Sequence, residues 1–191
     1  MPEPDLADPK RVAILISGRG SNMRALIEQA SGYEVVLVAS NKPQAAGLDY
    51  ARGAGIPTWT WDTKGVARAE FEAGLDRVLR DHRVGTVALA GYMRLLSPDF
   101  VAQWAGRIVN IHPSLLPKYP GLETHARALA AGDAISGCSV HIVTDEVDAG
   151  EVVASKQVPI EPGDDVHLLE LRVLKAEHAL YPAALAEFVN R

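Results

Sequence analysis

Residues 11–22 read Arg-Val-Ala-Ile-Leu-Ile-Ser-Gly-Arg-Gly-Ser-Asn, and this stretch decides the fold. Residues 12–16 are an unbroken apolar run, the mark of a strand buried on both faces. A polar turn with two glycines follows. Met23, Leu26, Ile27 and Ala30 then recur at i, i+3, i+4 and i+7, which predicts a helix starting near Ser21 and stopping at Gly32. Strand, glycine turn and helix in succession are the opening unit of a parallel α/β sheet.

The alternation continues outward from that unit. Residues 35–38 are a second apolar strand, residues 44–54 a short helix ended by Gly55, and residues 56–61 an extended segment. Phe71, Leu75, Val78 and Leu79 mark a helix over about 65–82. Buried strands are expected at 86–90, 108–112 and 139–143, and an edge strand at 152–160. From Asp164 onward one long helix carries apolar positions at Leu168, Leu171, Val173 and Leu174. The pattern predicts a Rossmann-like, doubly wound, mostly parallel sheet flanked by helices. Residues 1–10, rich in proline and acidic groups, are expected to be a disordered tail, with residues 11–191 as one domain.

Composition narrows the function classes. Apolar residues make up 48% of the 191-residue chain and charged residues 23%, the balance of a folded globular protein. A net charge of −5 argues against a broadly basic nucleic-acid-binding face. Cys138, the single cysteine, has no partner for an intramolecular disulfide, and no zinc-binding spacing appears, so no metal is expected. No apolar run approaches the roughly 18 residues of a membrane span, and the first ten residues do not read as a signal peptide. The expectation is a soluble, cytoplasmic protein.

Two segments carry chemistry. The turn at 17–22 falls where a strand ends and a helix begins, so the helix offers unpaired N–H groups and partial positive charge to an anion. It lacks the Gly-Lys-Ser/Thr of a nucleotide triphosphate loop. Met23 stands at the third glycine position of a dinucleotide fingerprint, and Ser40-Asn41 stand where a ribose-binding acid is expected. A monophosphate fits this turn better; a tight turn with an ordinary Ser or Asn helix cap remains the plain alternative. The second segment is Ile108-Val109-Asn110-Ile111-His112-Pro113. Strand period two puts Asn110 and His112 on one face, and Pro113 ends the strand. An amide donor beside an imidazole suits an oxyanion and a proton in transit. The loop Thr144-Asp145-Glu146-Val147-Asp148 offers the carboxylates that would orient such a histidine.

Four stretches together resemble a known family. They are Ser17-Gly-Arg-Gly-Ser-Asn22, Gly91-Tyr-Met-Arg-Leu-Leu-Ser-Pro98, Asn110-Ile-His-Pro-Ser-Leu-Leu-Pro-Lys-Tyr-Pro-Gly121 and Ser139-Val-His-Ile-Val-Thr-Asp-Glu-Val-Asp-Ala-Gly150. In order and spacing they are similar to phosphoribosylglycinamide formyltransferases, from about residue 11 to 188. The resemblance implies formyl transfer from 10-formyltetrahydrofolate to the amine of glycinamide ribonucleotide, the third step of de novo purine synthesis. It implies Asn110, His112 and Asp148 as the catalytic trio, and Gly20, Ser21 and Asn22 as the phosphate cradle. Glu177 would meet the glycinamide moiety. Met93, Arg94, Leu95 and Leu96, with Val143, Asn110 and Asp148, would line the folate pocket, and Arg68 would face the folate tail. The implied partners are these two small molecules, with no nucleic acid or membrane, in a monomer or weak homodimer. Glu123 and Glu151 depart from the family's usual His and Pro. His82, His125, His141, His167 and His178, and Trp59, Trp61 and Trp104, are assigned to structure rather than chemistry.

Three other readings stay open. A methionyl-tRNA formyltransferase would call for a basic surface and a second domain. A formyltetrahydrofolate deformylase would have no use for the phosphate turn. A non-catalytic phosphometabolite-binding module would need the turn but not Asn110, His112 and Asp148 together.

Overall fold

The computed structural model describes residues 7–191. Thirteen elements alternate along the chain: β1 (Arg11–Ile16), α1 (Ser21–Glu28), β2 (Glu34–Ser40), α2 (Gly47–Gly53), β3 (Thr58–Thr60), α3 (Arg68–Asp81), β4 (Thr86–Leu89), α4 (Pro98–Gln103), β5 (Ile108–His112), α5 (Thr124–Ala130), β6 (Ile135–Ile142), β7 (Val152–Pro159) and α6 (Val166–Phe188). The strands form one sheet in the order β3-β2-β1-β4-β5-β6-β7. The first five are parallel, whereas β6 runs antiparallel to β5 and β7 antiparallel to β6.

β1 shows why residues 12–16 are apolar throughout. Val12, Ile14 and Ile16 pack with Leu26, Leu169, Val173 and Tyr181 on the α1/α6 face. Ala13 and Leu15 face the other way, onto Phe71, Leu75, Leu79 and Trp104. Each face is sealed by helices, so no position of the strand can be polar without an unpaired buried group. The Tyr181 hydroxyl reaches from α6 to donate to the carbonyls of Leu89 and Val109, at 2.9 and 3.2 Å, fixing the ends of β4 and β5.

Strand order reverses between β1 and β4, because β2 and β3 extend to one side and β4 and β5 to the other. A crevice therefore opens beyond the carboxyl ends of β1 and β4, where ligands bind in folds of this type. The turn at 17–22 follows β1, and the loop at 90–97 follows β4.

The structure departs from the sequence reading in several places. The helices α4 and α5 were not anticipated, β6 starts at Ile135 rather than 139, and α1 ends at Glu28, before Gly32. The expected tail at 1–10 falls largely on residues 1–6, outside the described residues. Within the rest, Pro9 accepts at its carbonyl from Thr86 Oγ1 at 2.7 Å and Lys10 accepts from the Glu34 N–H at 2.8 Å, so the chain is already tied to the sheet there.

Candidate active site

β5 delivers Asn110 and His112 to its carboxyl end, as the alternation predicts. Both line a cavity of about 400 Å³, together with Asp148. Arg68, Met93, Arg94, Leu95, Leu96 and Val143 line the same cavity, so the residues expected for a folate site converge in space with the expected catalytic trio. The Arg94 guanidinium lies over the Phe71 ring, 5.2 Å from its centre.

His112 is buried, and each ring nitrogen faces an acceptor. Nε2 donates to the Tyr119 carbonyl at 2.9 Å. Nδ1 lies 3.4 Å from Asp148 Oδ2. A carbonyl and an ionised carboxylate only accept, so both edges of the ring are turned toward acceptors. Asp148 lines the cavity and Tyr119 does not, so Nδ1 is the edge of the ring that looks into the cavity.

Asp148 is held in turn. Its Oδ2 accepts from the Gly121 N–H at 2.8 Å. Burial pushes against its ionisation, but donation from His141 and Gly121 and the two neighbouring imidazoles outweigh it, leaving the carboxyl below its ordinary value. Asp148 sits at φ +53°, a left-handed conformation that Asp and Asn adopt more readily than most residues. Two residues on, a Cβ at Gly150 would collide with the Ile142 carbonyl oxygen, so only glycine lets this loop lie flat on β6.

His141, assigned to structure from sequence, also lines the cavity. β6 pairs antiparallel with β5 so that His141 stands opposite Asn110. Its Nδ1 is 3.1 Å from the Ile142 carbonyl and so carries a proton. Its Nε2 stands 3.2 Å from Asn110 Nδ2 and 3.5 Å from Asp148 Oδ1. A neutral His141 accepts from the Asn110 amide and fixes which end of that amide is the donor; a protonated one donates to Asp148. Tyr119 and Gly121 are also part of the site, through backbone atoms alone. The loop that presents them is pinned by Tyr119 Oη and Lys118 Nζ, which donate to Asp133 at 2.8 and 2.9 Å.

The glycine turn at 17–22 forms a separate cluster. Gly20 is the N-cap of α1 at φ +73°, with no side-chain cap, so the ordinary Ser or Asn cap is not what the turn builds. Its first N–H groups are therefore left for another acceptor. Asn22 Nδ2 donates to Glu177 Oε2 at 2.8 Å, joining the turn to α6. Burial raises the Glu177 pKa, partly offset by that hydrogen bond. Asn22 Oδ1 is buried with no partner among the described residues, an acceptor facing an unfilled need. Glu123, one of the departures from the family pattern, caps α5 at φ +57° and is exposed.

Comparison with known proteins agrees with this geometry. The formyl transferase family pattern matches residues 10–185. The chain belongs to the formyl transferase family. It is 44% identical to the phosphoribosylglycinamide formyltransferase of Escherichia coli (strain K12), covering 94% of this chain and 87% of that one. It is 51% identical to the trifunctional purine biosynthetic protein adenosine-3 of Drosophila melanogaster over 95% of this chain. The chain spans only 14% of that trifunctional relative. In three dimensions it is similar to a phosphoribosylglycinamide formyltransferase from Brucella melitensis, with a TM-score of 0.90 and 48% identity over 95% of this chain and 96% of that one. No helix among the described residues is long and apolar enough to cross a membrane.

Proposed function

We propose that the chain transfers the formyl group of 10-formyltetrahydrofolate to the amine of 5'-phosphoribosylglycinamide, yielding N-formylglycinamide ribonucleotide and tetrahydrofolate. The observation that carries this reading is the convergence of Asn110, His112 and Asp148 on one cavity with apolar walls and two arginines. Met93, Leu95, Leu96 and Val143 offer flat apolar contact to a pteridine ring, while Arg68 and Arg94 meet the carboxylates of the folate tail. Gly20, Ser21 and Asn22 take the ribose phosphate at the uncapped helix end, and Glu177 takes the glycinamide part.

In this reading the amine nitrogen attacks the formyl carbon and negative charge gathers on the formyl oxygen. Asn110 Nδ2–H and His112 Nδ1–H donate to that oxygen, held in place by the fold before the charge develops. The bond from carbon to N10 then breaks, and the proton lost by the amine ends on N10. Asp148 faces the Nδ1 edge of the His112 ring and holds it toward the cavity, and His141 stands against both the Asn110 amide and Asp148. The reading assigns the reaction to a monomer or weak homodimer acting on these two small molecules in the cytoplasm.

The test is turnover of 10-formyl-5,8-dideazafolate with glycinamide ribonucleotide, followed by absorbance of the deformylated product. A folded chain that gives no product overturns the proposal, and product formed equally fast without ribonucleotide would identify a deformylase instead.

The nucleotide end makes a separate prediction. A Cβ at Gly20 would lie 3.0 Å from Met23 Cε and 3.3 Å from Gly47 Cα, on a backbone at φ +73°. Gly20→Val therefore distorts the turn. Calorimetric titration is expected to show weakened ribonucleotide binding with folate affinity nearly unchanged; equal loss of both would mean general misfolding.

A further inference from the structure

At the carboxyl end of β1, one residue before the glycine turn proper, Ser17 is buried to within 6% of full enclosure, and Asn41 at the end of β2 to within 7%. Ser17 Oγ donates its single proton to Asn41 Oδ1 at 2.6 Å. With that proton committed, the hydroxyl has only lone pairs left, and one of them accepts from the Met93 N–H at 2.8 Å. A backbone bond runs alongside, from the Ser17 N–H to the Gly91 carbonyl at 3.2 Å. One hydroxyl thus ties together the ends of β1 and β2 and the loop that follows β4.

Elsewhere the loop is held by Tyr92 and Leu96 packing on the core and by Arg94 over the Phe71 ring, but Met93 itself is held by its backbone. The Met93 and Leu95 side chains are 72% and 66% exposed, although both line the cavity. Its shape there depends on backbone anchors. On its other side Ser17 leads directly into the turn, where the Gly18 carbonyl accepts from the Gly47 N–H at 3.1 Å and Gly20 caps α1. A ligand seated on Gly20, Ser21 and Asn22 is therefore three to five residues along the chain from the hydroxyl that holds the Met93 backbone.

We propose that Ser17, oriented by Asn41, is a positioning residue that couples the nucleotide turn to the 91–96 wall of the cavity. Order imposed at one site lowers the entropic cost of binding at the other, so each ligand tightens the other by the same factor. The proposal rests on the function given above. It concerns neither the reacting atoms nor the ligand contacts themselves.

Three measurements on the full chain test it. Removing the hydroxyl in Ser17→Ala leaves the half-buried Met93 N–H without its acceptor, which is expected to speed Met93 amide exchange about fivefold to tenfold and to raise the KM for 10-formyl-5,8-dideazafolate by a similar factor. The kcat should stay within about twofold, because the transition-state donors are untouched. The ratio of folate-analogue Kd values without and with glycinamide ribonucleotide should fall toward one. Asn41→Asp keeps an acceptor for the Ser17 hydroxyl and is expected to restore wild-type behaviour in all three. If Ser17→Ala leaves Met93 exchange and the coupling ratio unchanged, or if Asn41→Asp behaves like Ser17→Ala, the assignment is overturned. A wild-type chain that turns over neither substrate overturns the functional reading itself; a wild-type chain that turns over both, with an unaffected Ser17→Ala, removes the Ser17 proposal alone.

Discussion

His112→Ala and Asn110→Ala are each expected to lower kcat by at least about a hundredfold while ribonucleotide binding persists. Loss of one oxyanion donor typically costs roughly 10²–10³ in kcat, and loss of a general acid or base roughly 10²–10⁴. In the proposed reaction His112 stands in both roles, because its Nδ1 edge looks into the cavity beside Asp148 and its Nε2 edge is tied to the Tyr119 carbonyl. Its removal is therefore expected to be the more damaging of the two. Asn110→Ala removes one donor and also leaves His141 Nε2 without the amide that it faces at 3.2 Å. The cluster at Gly20, Asn22 and Glu177, proposed to hold the nucleotide, shares no hydrogen bond with either residue, so calorimetric affinity for glycinamide ribonucleotide should stay near native and serves as the check on folding. A near-native kcat in either variant would remove that residue from the catalytic trio.

The parts of this site that were legible in the sequence are those that depend on local pattern. The apolar run of β1, the glycine turn and the period-two placement of Asn110 and His112 follow from chain geometry over a few residues. What was missed depends on how distant segments register. His141 looks like a satisfied strand histidine until β6 is seen to run antiparallel to β5, which sets it opposite Asn110. Tyr119 and Gly121 contribute a carbonyl and an N–H, which every residue possesses, so no residue type could announce them. The helices α4 and α5 span only 6 and 7 residues, too few for a 3.6-residue period to declare itself. For α4 a signal was present, since Ser97 followed by Pro98 is a helix start, and Ser97 Oγ does accept from the Phe100 N–H at 3.2 Å.

Asp148 offers the sharpest separation of charge from shape. Asp148→Asn is nearly isosteric, and Asn tolerates the left-handed backbone at φ +53° as readily as Asp does. Its remaining carbonyl oxygen can still accept from the Gly121 N–H. What disappears is the negative charge 3.4 Å from His112 Nδ1 and 3.5 Å from His141 Nε2. An opposite charge within about 4–6 Å favours an imidazolium over the neutral ring, and Asp148→Asn withdraws that charge from beside the proposed oxyanion donor. The expected result is a kcat fall of about tenfold to a hundredfold or more, with ribonucleotide affinity close to native. Asp145→Asn and Glu146→Gln change exposed loop carboxylates and should alter kcat far less. The wild-type pH dependence has a definite sign. The Asp148 carboxyl lies below its ordinary value in the folded chain, so the stability that it adds is complete above the unfolded value and is lost as pH falls through the lowered one. Acidification should therefore weaken the wild type more than Asp148→Asn, which carries no charge to lose. An NMR titration of the His112 ring in both proteins, alongside kcat for the three variants, decides the matter. An unmoved His112 pKa, or equal kcat losses at 145, 146 and 148, would defeat the pairing of His112 with Asp148.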